Sequence, residues 1–188
     1  HGLQPGEFVG GFEIVSRIAQ GSFASVYRAR QRALADRDVV IKVSARSLGE
    51  VDKLARLQHT NIVPLFSAHE IDGLHVLCMP YLGTRTLAAV APQATRTELQ
   101  WAAGLADGLG HAHARSLLHL DLKPANVLIN DDDVAMLLDF NLASRHEADL
   151  QITGGTIAYM SPEQLAQVTR DGAAAPVGPA SDVYALGL

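Results

Sequence analysis

Alternating hydrophobic and polar positions in the first eighty residues predict a β-sheet. Five segments alternate or are rich in β-branched residues, and turn residues such as Gly21 and Asp72-Gly73 separate them. These five predicted strands cover residues 12–18, 25–30, 39–43, 62–68 and 74–79. Apolar residues recur with helical spacing in residues 50–57, which predicts one short helix after the third strand.

A helical period dominates the second half of the chain. Thr97 followed by Gln100 has the pattern of a capping box, and apolar residues at helical spacing continue to Ala112. Two short strands are predicted at 127–129 and 135–138. The chain is therefore predicted to be α+β, with a sheet-rich first part and a mainly helical second part that meet near Leu82-Gly83.

Composition narrows the class of protein. The 188 residues are 48% hydrophobic and carry a net charge of −5, which argues against binding nucleic acid or anionic membranes through charge. A single cysteine, Cys78, excludes an intrachain disulfide and favours a reducing, cytoplasmic compartment. No apolar run is long enough for a membrane span. His111 and His113 are interpreted as facing carbonyls at a helix end rather than a metal ion.

Polar residues interrupt two otherwise apolar stretches of the second half. Asp121 and Asn126 lie in His-Leu-Asp-Leu-Lys-Pro-Ala-Asn, and Asp139 follows Leu138. Charges set among Leu, Val and Ile are costly unless they are paired or hold a ligand. The alternative interpretation, in which all three only cap turns, leaves their clustering unexplained. Carboxylate, amide and lysine groups together are what phosphoryl transfer from a nucleotide requires.

Two features of the first half fit the same chemistry. Gly21 lies between two predicted strands, where backbone N–H groups could approach phosphate oxygens, although a glycine there is most often only a turn residue. Lys42 ends an apolar strand, and Glu50 follows as a partner for its charge. Lys42 could equally be an ordinary surface lysine.

Together these motifs resemble the catalytic domain of eukaryotic-type (Hanks-type) serine/threonine protein kinases, from about Phe12 to the end of the chain. The resemblance implies a bilobal fold with an N-terminal lead (1–11), a five-stranded antiparallel N-lobe with one helix (12–82) and a mainly helical, incomplete C-lobe (83–188). The Asp-Leu-Lys-Pro-x-Asn form resembles serine/threonine kinases rather than tyrosine kinases. Variant motifs such as Asp-Phe-Asn are most similar to those of bacterial kinases, particularly planctomycete ones.

The resemblance also implies roles for individual residues, with ATP and Mg²⁺ as cofactors and a protein Ser/Thr hydroxyl as acceptor. The residues implied in catalysis are Asp121 as base, Lys123 on the transferring phosphate, and Lys42 with its partner Glu50. The implied magnesium ligands are Asn126 and Asp139. The residues implied in nucleotide binding are Ile18, Gly21, Val26, Val40, Lys42, Pro80, Leu82 and Leu128. Asp182 resembles the helix aspartate that braces the catalytic loop.

The chain departs from the family before the catalytic aspartate and in the phosphate loop. Leu120 replaces the arginine before the catalytic aspartate, the non-RD pattern, which predicts activity independent of activation-loop phosphorylation. Ala19 and Ala24 replace two of the three glycines of the phosphate loop, which restricts its backbone. The restricted backbone of the phosphate loop supports an alternative function. In it, the chain is a pseudokinase that binds nucleotide or acts as a scaffold without turnover.

Overall fold

The structure, a computed structural model, describes residues 2–21, 24–45, 51–91, 96–140, 157–169 and 176–188. The chain divides into two compact units. The first unit combines His1–Arg56 with Pro64–Leu82, and the second combines Leu57–Val63 with Gly83–Leu188. The short segment Leu57–Val63 thus belongs to the second unit, although parts of the first unit precede and follow it in the chain.

An antiparallel six-stranded sheet forms most of the first unit. Its strands are β1 (Phe8–Val9), β2 (Phe12–Gln20), β3 (Ala24–Gln31), β4 (Arg37–Ser44), β5 (Ser67–Ile71) and β6 (Leu74–Pro80). They are arranged in the order β1-β2-β3-β4-β6-β5. Helix α1 (Val51–Ala55) lies between β4 and β5 in the chain. The predicted plan of an antiparallel sheet with one inserted helix is therefore confirmed.

Two details of the predicted sheet were wrong. A sixth strand is present because β1, in the predicted lead, pairs with the start of β2. The strand predicted at 62–68 instead begins at Ser67 and ends at Ile71. Ile62 is buried and bridges Leu137 of the second unit. A short apolar run in sequence does not distinguish a strand from another buried segment, and here it belongs to a different core.

The two-residue period of β4 separates the core of the first unit from its other face. Val39, Ile41 and Val43 are buried, whereas Val40 and Lys42 between them are half-buried. The buried set packs with residues of β2, β3 and β6, including Cys78, whose thiol pKa is raised by burial. Val40 and Lys42 therefore share the face of β4 that does not enter this core.

The second unit combines helices with a short hairpin. Helix α2 (Arg96–His113) is followed by the hairpin β7 (Val127–Ile129) and β8 (Ala135–Leu137), and then by helices α3 (Pro162–Thr169) and α4 (Pro179–Leu186). The buried side chains of α2 recur every three or four residues: Trp101, Leu105, Leu109 and Ala112. Thr97 lies inside α2, which already includes Arg96, so the predicted capping box at Thr97 was wrong.

Asn61 attaches the segment Leu57–Val63 to the rest of the second unit. Its Nδ2 donates to the Ala135 carbonyl at 2.8 Å, and its own carbonyl accepts from the Leu137 backbone N–H at 2.8 Å. Gly104 of α2 leaves room for the Asn61 side chain, since a Cβ at Gly104 would lie 2.9 Å from Asn61 Cγ. The absence of a side chain at Gly104 therefore permits this attachment.

Replacing Gly104 by alanine is expected to lower the free energy of unfolding by about 1–2 kcal/mol, because the added methyl group displaces Asn61 from the Ala135 carbonyl. Gly110 of the same helix is the matched control, since a Cβ there would meet nothing within 4 Å. Gly110→Ala should raise stability by about 0.5–1 kcal/mol through helix propensity. Urea denaturation measures both changes, and equal effects of the two substitutions would contradict the role of Asn61.

Among the described residues, no helix combines the length and the apolar character that a membrane span requires.

Candidate active site

Asp121 lies in the loop that connects α2 to β7. The leucine on its C-terminal side, Leu122, is buried, as is Leu117 earlier in the loop, whereas the Asp121 side chain remains 31% exposed. The loop ends in a 3-10 turn, Pro124–Asn126, that leads directly into β7. Buried leucines on either side thus anchor the backbone while the carboxylate stays accessible.

The carboxylate of Asp121 is held by two neighbouring side chains. Lys123 Nζ lies 3.0 Å from Oδ1 and 2.9 Å from Oδ2 of Asp121. Asn126 Nδ2 donates to Asp121 Oδ2 at 2.9 Å and to the Asp121 carbonyl at 2.8 Å. Three of the residues predicted for this site are therefore in direct contact, and the rotamer of Asp121 is fixed by charge-assisted hydrogen bonds.

Asn126 and Asp139 are brought close by the backbone. The Leu138 N–H donates to the Asn126 carbonyl at 2.9 Å, which places Asp139 immediately after a residue bonded to Asn126. Asp139 has a positive φ of 50°, a conformation that is uncommon outside glycine and often found at functional positions. Both hydrogen bonds of the Asn126 amide to Asp121 use Nδ2, so they leave the amide oxygen to another partner.

This donor set fits magnesium. An amide oxygen from Asn126 and a carboxylate from Asp139 are hard oxygen ligands, which Mg²⁺ prefers. No cluster of three or more His, Cys, Asp or Glu side chains in the described part of the chain could hold a metal ion by itself. Magnesium at this position would therefore take its remaining ligands from water and from a phosphate-bearing substrate.

His119 connects the loop of Asp121 with the segment that carries Asp139. Its Nε2 donates to the Leu138 carbonyl at 2.7 Å, and its Nδ1 accepts from the Asp121 backbone N–H at 3.4 Å. The ring is fully buried and lies 5.0 Å from the Phe140 ring. Burial lowers the pKa of His119. The neutral ring protonated on Nε2 therefore supplies one donor and one acceptor that join the two segments.

Asp182 of α4 holds the same loop from the other side. It is 1% exposed, and its two carboxylate oxygens accept the backbone N–H groups of His119 at 2.8 Å and Leu120 at 2.7 Å. Leu120 has a positive φ of 60°. A leucine in this conformation is strained, and the buried carboxylate offsets the strain by pairing the Leu120 N–H.

His113 also contacts Asp182, and here the interpretation of the sequence was wrong. His113 Nε2 lies 2.7 Å from Asp182 Oδ2, so this histidine does not merely face carbonyls at the end of α2. Its partner is 69 residues further along the chain, and no local pattern signals the contact. His113 thus becomes the third group that satisfies the buried carboxylate.

Several residues predicted to bind nucleotide lie on β3 and β4 of the first unit, and another lies at the end of β6. Val26 of β3 pairs with Lys42 of β4, and Val40 lies two residues before Lys42 on the same face. Pro80 is the last residue of β6. Val26, Val40 and Lys42 thus lie on the half-buried face of the sheet, whereas Pro80 pairs with Val39 at the end of β6.

The remaining residues predicted to bind nucleotide lie in other parts of the chain. Gly21 lies in the turn after β2, and its N–H donates to the Ala24 carbonyl at 2.9 Å. Ile18 on β2 is exposed, and Leu82 is half-buried at the end of the first unit. Leu128 belongs to the second unit, where it is buried on β7 opposite Met136. Glu50 lies outside the described residues.

Comparison with known proteins identifies the class to which this fold and loop belong. The family model of the protein kinase domain matches residues 12–188, and the chain belongs to this family. This match agrees with the resemblance of the sequence to Hanks-type kinases, and the bacterial relatives are named as serine/threonine-protein kinases.

Individual relatives come from bacteria and from animals. The chain is 34% identical to the DNA damage-responsive serine/threonine-protein kinase RqkA of Deinococcus radiodurans, over 98% of this chain and 30% of that protein. It is 30% identical to the mouse proto-oncogene serine/threonine-protein kinase mos, over 93% of this chain and 58% of that protein. The chain thus spans only about a third of the length of RqkA.

A solved structure shows the same fold. The crystal structure of the PknI kinase domain from Mycobacterium tuberculosis matches with a TM-score of 0.70 and 24% sequence identity, over all of this chain and 75% of that one. At this level of identity the match establishes the fold, and the chemistry must be argued from the residues of this chain.

Proposed function

We propose that this chain transfers the γ-phosphate of ATP to a serine or threonine hydroxyl of a protein. The observation that carries the proposal is the Asp121 carboxylate, which is held within 3.0 Å by Lys123 and Asn126 and follows Leu120, whose N–H is bound by Asp182. Such a carboxylate is partly exposed, fixed in orientation and next to a cation. These are the properties required of a group that orients an attacking hydroxyl and stabilises the charge of a phosphoryl group.

In the proposed reaction, Asp121 accepts a hydrogen bond from the substrate hydroxyl and then its proton. The hydroxyl oxygen forms a bond to the γ-phosphorus while the bond between the γ-phosphorus and the β–γ bridging oxygen breaks, and ADP leaves with the bond's electrons. Lys123 contacts the transferring phosphoryl oxygens and neutralises their charge. Magnesium, held by Asn126 and Asp139, would supply further neutralisation of the phosphates.

Nucleotide binding is assigned to the remaining predicted residues. Lys42 is proposed to contact the α- and β-phosphates with Glu50 as its partner, and Gly21 to bring backbone N–H groups to the phosphates. Pro80 would present its carbonyl and Leu82 its N–H to the adenine. The aliphatic residues proposed to pack against the adenine ring are Ile18, Val26, Val40 and Leu128.

A phosphate-transfer assay tests the proposal. Incubation with Mg²⁺, ATP labelled at the γ-phosphate and a generic basic protein should give phosphoserine or phosphothreonine, and EDTA should prevent the transfer. Phosphotyrosine would contradict the acceptor class. Nucleotide binding without any transfer would favour the second candidate, a pseudokinase, to which the restricted loop between Ala19 and Ala24 points.

Activity is expected to be independent of phosphorylation of the activation segment, because Leu120 offers no charge that could pair with a phosphate. Turnover measured before and after phosphatase treatment should agree within about twofold. A large drop after treatment would refute this independence while leaving phosphate transfer itself established.

A further inference from the structure

The first turn of α3 is closed by a capping box formed by Ser161 and Gln164. The Gln164 backbone N–H donates to Ser161 Oγ at 3.3 Å, and Gln164 Oε1 accepts from the Ser161 backbone N–H at 3.1 Å. Pro162 occupies the first helical position, where its missing N–H has no cost. The capping box fixes the side chain of Gln164 and uses only its amide oxygen.

The amide nitrogen of Gln164 makes a second contact, outside its own helix. Gln164 Nε2 donates to the Leu120 carbonyl at 2.9 Å, and Gln164 as a whole is only 6% exposed. The two residues are 44 positions apart. One side-chain amide thus joins the first turn of α3 to the residue before Asp121.

Leu120 is consequently held at both of its backbone polar groups. Its N–H is bound by Asp182 Oδ1 at 2.7 Å, and its carbonyl is bound by Gln164 Nε2. The carbonyl belongs to the peptide that joins Leu120 to Asp121, so its orientation sets the direction in which the Asp121 side chain leaves the backbone. Leu120 needs such restraint because its φ of 60° is unfavourable for leucine.

We propose that Gln164 is a positioning residue for Asp121, which locks the catalytic loop to the start of α3 through the Leu120 carbonyl. The inference rests on the proposed kinase function and extends it to regulation of the same site. In this chain an uncharged hydrogen bond links the start of α3 to the loop of Asp121, at a position where Leu120 offers no charge that could pair with a phosphate.

The chemistry requires an amide at position 164. The capping box needs an acceptor, which a carboxylate would also provide, whereas the Leu120 carbonyl needs a donor, which an ionised carboxylate lacks. A cavity of about 10 Å³ adjoins this contact and is lined in part by Leu120, Gln164 and Asp182, which is room for one water at most. A water held there would be a less constrained donor to the Leu120 carbonyl than the Gln164 amide, which the capping box fixes.

Gln164→Glu separates the two roles, because it retains the capping acceptor and removes the donor to Leu120. The kcat for phosphate transfer should fall about tenfold, as expected when a buried carbonyl loses its partner, while the KM for ATP changes less than twofold. Gln100→Glu is the matched control, since it makes the same change at an exposed position of α2. A kcat for Gln164→Glu within twofold of that control would overturn the proposal.

Ser161→Ala distinguishes positioning from helix stability. It weakens the capping box and leaves the donor on Leu120, so it should lower Tm with much less effect on kcat. If Ser161→Ala and Gln164→Glu lower kcat equally, Gln164 acts only through the helix and the proposal is wrong. Should Gln164→Glu not fold, Gln164→Met, which is uncharged and of similar length, replaces it in the same comparison with the same expected loss.

Hydrogen exchange gives a readout that does not depend on activity. Peptides covering residues 118–126 should exchange faster in Gln164→Glu and Gln164→Met than in the Gln100→Glu and unaltered proteins. Unchanged exchange would overturn the proposal that Gln164 restrains the loop of Asp121 through the Leu120 carbonyl. If the unaltered chain shows no transfer at all, the kinase function fails and with it the catalytic role of Gln164, but faster exchange would still establish the contact with Leu120.

Discussion

Asp121→Asn is expected to abolish phosphate transfer while binding of MgATP persists. Asparagine has nearly the same size and shape as aspartate, but it cannot take the proton of the attacking hydroxyl and carries no charge for Lys123 to pair with. General-base contributions are typically 10²–10⁴-fold, so kcat should fall by at least about 100-fold. Transfer is followed with labelled ATP, and nucleotide affinity is measured separately by titration calorimetry.

Asp132→Asn is the matched control for this experiment. Asp132 lies in the exposed turn between β7 and β8, so the same loss of charge there should leave both transfer and binding within about twofold of the unaltered protein. Retention of a tenth or more of the activity by Asp121→Asn would remove Asp121 from the role of base. Loss of MgATP binding together with transfer would indicate that the substitution had disturbed the loop.

Asp182→Ala is expected to cause the largest loss of stability among these substitutions. Asp182 is 1% exposed and accepts the backbone N–H groups of His119 and Leu120 as well as a hydrogen bond from His113. Each buried N–H left without a partner costs about 1–3 kcal/mol. The free energy of unfolding should therefore fall by about 3–5 kcal/mol, which urea denaturation followed by circular dichroism measures.

Asp132→Ala again supplies the comparison, because truncation of an exposed side chain usually changes stability by less than about 0.5 kcal/mol. A loss of about 1 kcal/mol or less in Asp182→Ala would mean that water or another side chain satisfies the two N–H groups. In that case the loop of Asp121 would not depend on α4 for its conformation.

The core of the candidate site was predictable from sequence because its contacts are local. Asp121, Lys123 and Asn126 lie within six residues, and a short loop followed by a 3-10 turn is enough to bring them together. Asp139 could be grouped with them only by residue type and by the resemblance to kinases, since its approach depends on the pairing of β7 with β8 and on His119. The roles of these residues in transfer remain predictions.

The contacts that His113 and Gln164 make with distant parts of the chain could not be predicted. The pairings of His113 with Asp182 and of Gln164 with Leu120 bridge 69 and 44 residues, and each joins groups whose sequence surroundings give no sign of a partner. The strand predicted at 62–68 failed for the same reason. The segment is apolar, but Ile62 bridges Leu137 in the second unit and does not join the sheet of the first unit.

Capping boxes show how tertiary structure decides between equal local signals. The Ser/Thr-x-x-Gln pattern begins at Thr97 and again at Ser161. Only the second forms the reciprocal hydrogen bonds, because Pro162 fixes the helix start immediately after Ser161, whereas α2 already includes Arg96 before Thr97. The pattern at Ser161 was also the one local signal that could have directed attention to Gln164.

The most direct test is the position of Mn²⁺ in crystals of this chain grown with a non-hydrolysable ATP analogue, located by its anomalous scattering. The account predicts a peak about 2 Å from the amide oxygen of Asn126 and from a carboxylate oxygen of Asp139, with the terminal phosphate of the analogue beside Asp121 and Lys123. Nucleotide and metal bound away from these four side chains would contradict it.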